Sequence, residues 1–95
     1  MRWADAEKLY ERAVAIDPNS PDANTWYAYG LALSGRCEAA LRHARIAAGL
    51  LPGDDWRAMA VPRMQHCAGR TAVAAADYRK LLDRSPGNVF VLHDL

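Results

Sequence analysis

The segment "YERAVAIDP" at residues 10–18 returns in altered form as "ARIAAGLLP" at 44–52 and "YRKLLDRSP" at 78–86. Each is an apolar run of helical character that ends at a proline, and Pro18, Pro52 and Pro86 stand 34 residues apart. The same interval joins Ala6, Ala40 and Ala74; Tyr10, Ala44 and Tyr78; Ala13, Ala47 and Leu81; and the pairs Gly35-Arg36 and Gly69-Arg70. A fixed period of this length is the mark of a chain built from stacked copies of one supersecondary unit.

Punctuation inside the period divides each unit into two helices. Ser20 followed by Pro21 predicts a cap and a first-turn proline, where the missing N–H is harmless. The run "PDANTWYAYGLAL" continues to Gly35, which suits a left-handed position after a helix end. From about Arg36 to Leu51, Cys37, Ala40, Leu41, Ala44, Ala47, Ala48 and Leu51 recur at intervals of three and four, one apolar stripe. Asp54 or Asp55 caps the next helix, Gly69 closes it, and its partner from about Arg70 to Arg84 turns Val73, Ala74, Tyr78, Leu81 and Leu82 inward. Strand signals are absent, so the expected fold is all-α, made of antiparallel helix pairs. One helix breaks the rules: Pro62 lies in the interior of "DDWRAMAVPRMQHCAGR" (54–70), where it cannot bond the carbonyl of Ala58 and predicts a kink.

A 34-residue helix-turn-helix with A-x3-aromatic and a closing proline resembles the tetratricopeptide repeat. Ala6, Tyr10, Ala13 and Pro18 carry the likeness in the first copy, and Ala74, Tyr78 and Pro86 in the third; the middle copy has Ala44 in place of the aromatic. The first-helix pattern of the family falls on Asn24, Tyr27, Ala28 and Leu31, then on Ala58, Val61, Pro62 and Gln65. A register shifted by two would use Trp26, Tyr29, Gly30 and Leu33 instead, but leaves only Ser34 to close the helix before Gly35. The unshifted register makes the chain a single domain of about two and a half repeats in a right-handed α-solenoid. Residues 1–20 are the second half of a repeat, 21–54 and 55–88 are full repeats, and 89–95 begin a further first helix. Such an array has unpaired ends, so either a longer parent chain or self-association is expected to complete it. The phrase "NTWYAYGLALSGR" also resembles arrays attached to bacterial transcription regulators and signalling enzymes.

What the resemblance implies is a protein-binding module, with first helices lining a concave groove for a partner peptide or helix. Carried onto this sequence, the wall is drawn from Asp22, Thr25, Trp26, Tyr29 and Leu33, and from Trp56, Met59, Arg63 and His66. Rings and a thioether offer adaptable apolar area, and Arg63 can take a carboxylate with two donors. At Pro62 the family places a small residue crossing Ala74, and a bend there would widen the groove. The subtype that binds chaperone C-termini through lysines and asparagines is not expected, because Thr25 and Met59 occupy matching sites. The alternative role is structural, with Trp3 and residues 89–95 stacking on a second copy as a homo-oligomer or on the parent chain.

Composition narrows the competing classes. With 52% hydrophobic and 24% charged residues and a net charge of +1, the chain lacks the single-sign field that nucleic acid or an anionic membrane would need. No segment is apolar enough for a signal peptide or a span. Two cysteines are no disulfide framework, which points to a reducing, cytoplasmic setting. Cys37, His43, His66 and Cys67 form the one metal-type set. They lack paired C-x2-C spacing; a disulfide between Cys37 and Cys67 is conceivable, but buried structural thiols are the expectation. Asp54-Asp55 reads as a cap rather than a catalytic pair, Arg42, His43 and Arg45 read as a solvated basic face, and no phosphate loop appears. No enzyme activity, metal or cofactor is expected.

Overall fold

A computed structural model describes residues 3–88 together with Val91 and Asp94, with side chains from Asp5 onward. Five helices follow one another: α1 Trp3–Ile16, α2 Pro21–Leu33, α3 Cys37–Leu50, α4 Asp55–Cys67 and α5 Thr71–Arg84. There is no strand among the described residues. Each helix packs on the next, and α2 also touches α4. Neighbours run antiparallel, as contacts between opposite ends require: Glu7 of α1 pairs with Arg36 beyond α2, and Asp55 of α4 with Arg84 of α5.

The period seen in the sequence recurs in the backbone. Ser20, Asp54 and Asn88, each 34 residues from the next, have side-chain oxygens that accept from the N–H groups of Ala23, Arg57 and Val91. Ahead of these caps, Ser20, Asp54 and Asn88 donate their own N–H to the carbonyls of Asp17, Leu51 and Ser85. Asp54 therefore resolves the choice between the two aspartates. Asp55 instead accepts from the Ser85 hydroxyl at 2.7 Å and from Arg84 at 2.6 Å, which hold its carboxyl below the usual range. α2 and α4 end alike, on glycines with φ near +84° and +82°. Arg36 donates to Leu31 and Gly35 to Ala32, and Arg70 to Gln65 and Gly69 to His66, a paired closure that a side chain with a Cβ would strain.

Small residues set the spacing of the core. Ala28, Ala40, Ala44 and Ala60 are buried among Leu31, Leu41 and Met64 where α2, α3 and α4 meet. A second cluster joins Met59 to Ala74, Tyr78, Leu81 and Val91. Asn24 is fully buried and satisfied: its amide donates to the carbonyls of Pro18 and Ser20, and its Oδ1 lies 2.9 Å from His43 Nδ1. His43 Nδ1 therefore carries the proton, and burial, with Arg42 nearby, pushes the imidazole's pKa down.

Several expectations need correction. Val73 is 49% exposed and Leu51 also faces outward, so the stripes on α5 and α3 are narrower than the spacing predicts. His43 belongs to the α2–α3 contact and not to a solvated basic face, although Arg42 and Arg45 are exposed. Cys37 and Cys67 are joined in a disulfide across the adjacent ends of α3 and α4, with Cα atoms 5.5 Å apart, rather than buried as thiols. That bond removes the ground on which the cysteine count pointed to a reducing compartment. No helix among the described residues is long and apolar enough to cross a membrane.

α4 runs through Pro62 without interruption. The ring is fully buried, and it shares the lining of a hollow between α3, α4 and α5 with Ala48, Lys80 and Leu81. An interior proline costs about 3 kcal/mol, whereas the two methylenes lost on truncation are worth about 0.8 kcal/mol each. Pro62→Ala is thus expected to stabilise the fold by about 1 kcal/mol, raising the thermal midpoint by about 5 °C; a lower midpoint would mean that the buried ring outweighs the missing hydrogen bond. The disulfide closes a loop spanning 30 residues. Its reduction should cost about 3 kcal/mol, seen in urea denaturation with and without dithiothreitol, and an unchanged midpoint would show the pair to be inessential to the fold.

Candidate partner-binding face

α2 and α4 lie side by side and turn one face each to the same side. Positions 22, 26, 29 and 33 follow one face of α2, and 56, 59, 63 and 66 one face of α4. Between the rows, three aromatic rings form a cluster. The Trp26 centroid is 5.7 Å from that of Trp56 and 6.3 Å from that of Tyr29, and Tyr29 is 6.4 Å from Trp56. All three contacts are tilted, within the separations that favour aromatic pairs. Trp26 remains 47% exposed, while Tyr29 and Trp56 are half-buried. Beside Trp56 a cleft of about 510 Å³ opens between Asp55 and the turn of residues 85–88, with Met59 beneath it.

Charge frames the cluster on both sides. The Arg57 guanidinium lies 4.8 Å from the Trp56 ring centroid, pairs with Asp22 across the helices, and reaches Asp54 at 3.3 Å. At the other side Arg63 donates Nη1–H to the Tyr29 hydroxyl at 2.9 Å and Nε–H to Asp94 at 2.6 Å. The same Asp94 oxygen accepts the Tyr78 hydroxyl at 2.9 Å. Asp94 holds the guanidinium yet more firmly protonated, and Tyr29 adds to this against the effect of burial. Burial first, and then Asp94, push the Tyr78 phenol up.

The seven residues expected to meet a partner divide into two groups. Trp26, Tyr29, Trp56, Arg63 and His66 carry accessible surface on this face, with His66 and Trp26 the most open. Thr25 and Met59 do not: both are 0% exposed. The Thr25 hydroxyl donates to the Pro21 carbonyl inside its own helix, and Met59 packs with Tyr78, Leu81 and Val91. They support the wall from behind. Asp22 is exposed and paired with Arg57, and Leu33 is 67% exposed at the rim. Of the residues proposed for self-association, Val91 is buried in the second cluster; the side chain of Trp3 and residues 89, 90, 92, 93 and 95 lie outside the described residues.

Asp94, Tyr78 and Arg57 belong to the face but do not emerge from the sequence reading. A signal existed for one contact: Tyr29 and Arg63 are 34 residues apart, one period, on α2 and α4, which meet directly. No spacing rule marks Asp94 as the partner of Arg63. Among the described residues, no three His, Cys, Asp or Glu side chains are grouped to hold a metal ion. No protein-family model matches the chain, and no curated protein matches it.

Because the neutral Tyr78 phenol is favoured in the folded state, its contribution to stability is complete below the ordinary tyrosine value of about 10 and is lost as pH rises through the elevated folded value. Alkaline titration followed by phenolate absorbance should therefore show Tyr78 ionising late among the four tyrosines, together with Tyr27, which burial also raises, and Asp94→Asn should bring the Tyr78 step alone earlier. An identical titration in the variant would mean that Asp94 does not act on Tyr78 in solution.

Proposed function

We propose that the chain is a tetratricopeptide-like protein-interaction module that grips a partner segment across the face formed by α2 and α4. The observation that carries this reading is the aromatic cluster of Trp26, Tyr29 and Trp56, left open to solvent between a guanidinium on either side. Tryptophan, tyrosine and arginine together are the residue types enriched at binding hot spots. The three caps and two glycine closures on a 34-residue period support the repeat assignment. In that arrangement α2 and α4 are first helices on a concave side of a right-handed α-solenoid, and α1, α3 and α5 are second helices on the outside.

The partner on this reading is a protein or peptide, with no nucleic acid, membrane, cofactor or catalysed reaction involved. A second reading, assembly of copies, draws on α1, where Leu9 is exposed and Ile16 is 82% exposed. The two readings separate by mutation. Peptides selected from a displayed library on the wild-type chain should lose at least about tenfold in affinity for Trp26→Ala, a loss near 1.4 kcal/mol and typical of one hot spot. Sedimentation should show no change of mass on Ile16→Ser. Selected peptides that bind Trp26→Ala undiminished would overturn the groove reading, and dissociation of an oligomer by Ile16→Ser would favour assembly.

A further inference from the structure

The covalent link between α3 and α4 is not required by the closure it spans. α2 and α4 end on the same glycine motif, with Arg36 and Arg70 donating to Leu31 and Gln65, yet Leu33 stands at the position of α2 that matches Cys67 of α4. One period after Cys37 opens α3, Thr71 opens α5. The cross-link is thus an addition to one closure of two. Its sulfurs differ in setting: Cys67 is exposed at the end of α4, whereas Cys37 is half-buried as the first residue of α3. Arg36 gives α3 no side-chain cap, so the N–H groups of its first turn have no side-chain acceptor of that kind. Nearby charges are balanced, Arg36 by Glu7 and Arg70 by Glu38. The helix terminus therefore favours a thiolate on Cys37, which makes it the better leaving group and Cys67 the sulfur open to attack.

The part of α4 that the bond anchors has weak support of its own. Pro62 offers no N–H to the Ala58 carbonyl, so one rung of the helix is missing ahead of Arg63. Gln65 is 3% exposed, and its Oε1 is buried with no hydrogen-bond partner among the described residues. Both defects favour local opening, because an unmet buried acceptor is satisfied once water reaches it. We propose that the Cys37–Cys67 bond is a thiol-exchange site for a dithiol reductant, and that its opening releases residues 63–70 from α3. A reductant thiolate attacks Cys67 Sγ and bonds to it; the Cys37–Cys67 bond breaks, and its electron pair leaves on Cys37, which takes a proton from water. The reductant's second thiol then attacks the reductant sulfur of the mixed disulfide and frees Cys67 as a thiol. The protein gains two electrons and two protons, and the reductant becomes a disulfide. Arg63 and His66 lie on the released segment, so the redox state reaches the α2–α4 face whatever that face binds.

Glutathione, a monothiol that stalls at the mixed disulfide, tests the direction of attack. It is added to the folded chain, and free thiols are trapped after a short interval with N-ethylmaleimide. Mass spectrometry should find glutathione on Cys67 and maleimide on Cys37, with at least about tenfold preference. An even split, glutathione mainly on Cys37, or a bond that opens only in urea overturns the exchange site. Brief trypsin treatment with and without dithiothreitol tests the release. Reduction should speed cutting after Arg63 and Arg70 at least about tenfold relative to cutting after Arg12 and Arg45. Equal acceleration at every site means global unfolding and overturns the release, as does no acceleration at all. The double variant Cys37→Ser, Cys67→Ser should be cut like the reduced chain without any reductant, and a pattern like that of the oxidised chain contradicts the proposal.

Discussion

The side-chain caps at Ser20, Asp54 and Asn88 fix the phase of the three segments that build the α2–α4 face. A helix turns by about 100° per residue, so a start displaced by one position would rotate every side chain out of its column. With the caps in phase, Tyr29 and Arg63 meet although 34 residues separate them, and Asp94 arrives beside both Arg63 and Tyr78. The glycines at 35 and 69 do the complementary task at the other end, ending α2 and α4 so that α3 and α5 return alongside. Neither device adds much energy alone, since one cap is worth about 1 kcal/mol. Their importance lies in alignment, because the buried alanines allow close packing only when the helices are correctly rotated.

Close packing explains why the polar contacts of the face are few and well matched. Ala28, Ala40, Ala44 and Ala60 bring three helices together and leave little room for large side chains inside. Trp26, Tyr29 and Trp56 lie at the α2–α4 margin, where Trp26 stays open and Trp56 lines the cleft beside residues 85–88. Arg57 and Arg63 bracket them, each already held by carboxylates of the chain. Such pairs keep cationic groups oriented at a partly buried surface.

Much of the fold was legible because it is periodic. Pro18, Pro52 and Pro86, the cap at Ser20 and the closures at Gly35 and Gly69 each state a local backbone requirement, and the structure meets them. Side-chain environment was harder to read. A stripe at spacings of three and four gives a helix its inward side only to within a broad arc, so Val73 and Leu51, at the margin, face outward. Thr25 and Met59 lie on the expected face of their helices yet contribute no surface. The Thr25 hydroxyl is satisfied by its own backbone, and Val91 covers Met59 from a segment that no local pattern places there. The disulfide and the Arg63–Asp94 pair are contacts between distant positions, 30 and 31 residues apart, and a linear reading has no rule for them.

The account stands on the α2–α4 face receiving a partner segment. Nuclear magnetic resonance of the indole N–H groups of Trp26 and Trp56, during titration with a library-selected peptide, reports on that face directly. Both indole signals are predicted to shift in step with saturation, together with the guanidinium Nε–H of Arg63. Shifts confined to the exposed faces of α1 and α3, around Ile16 or Arg45, would contradict it.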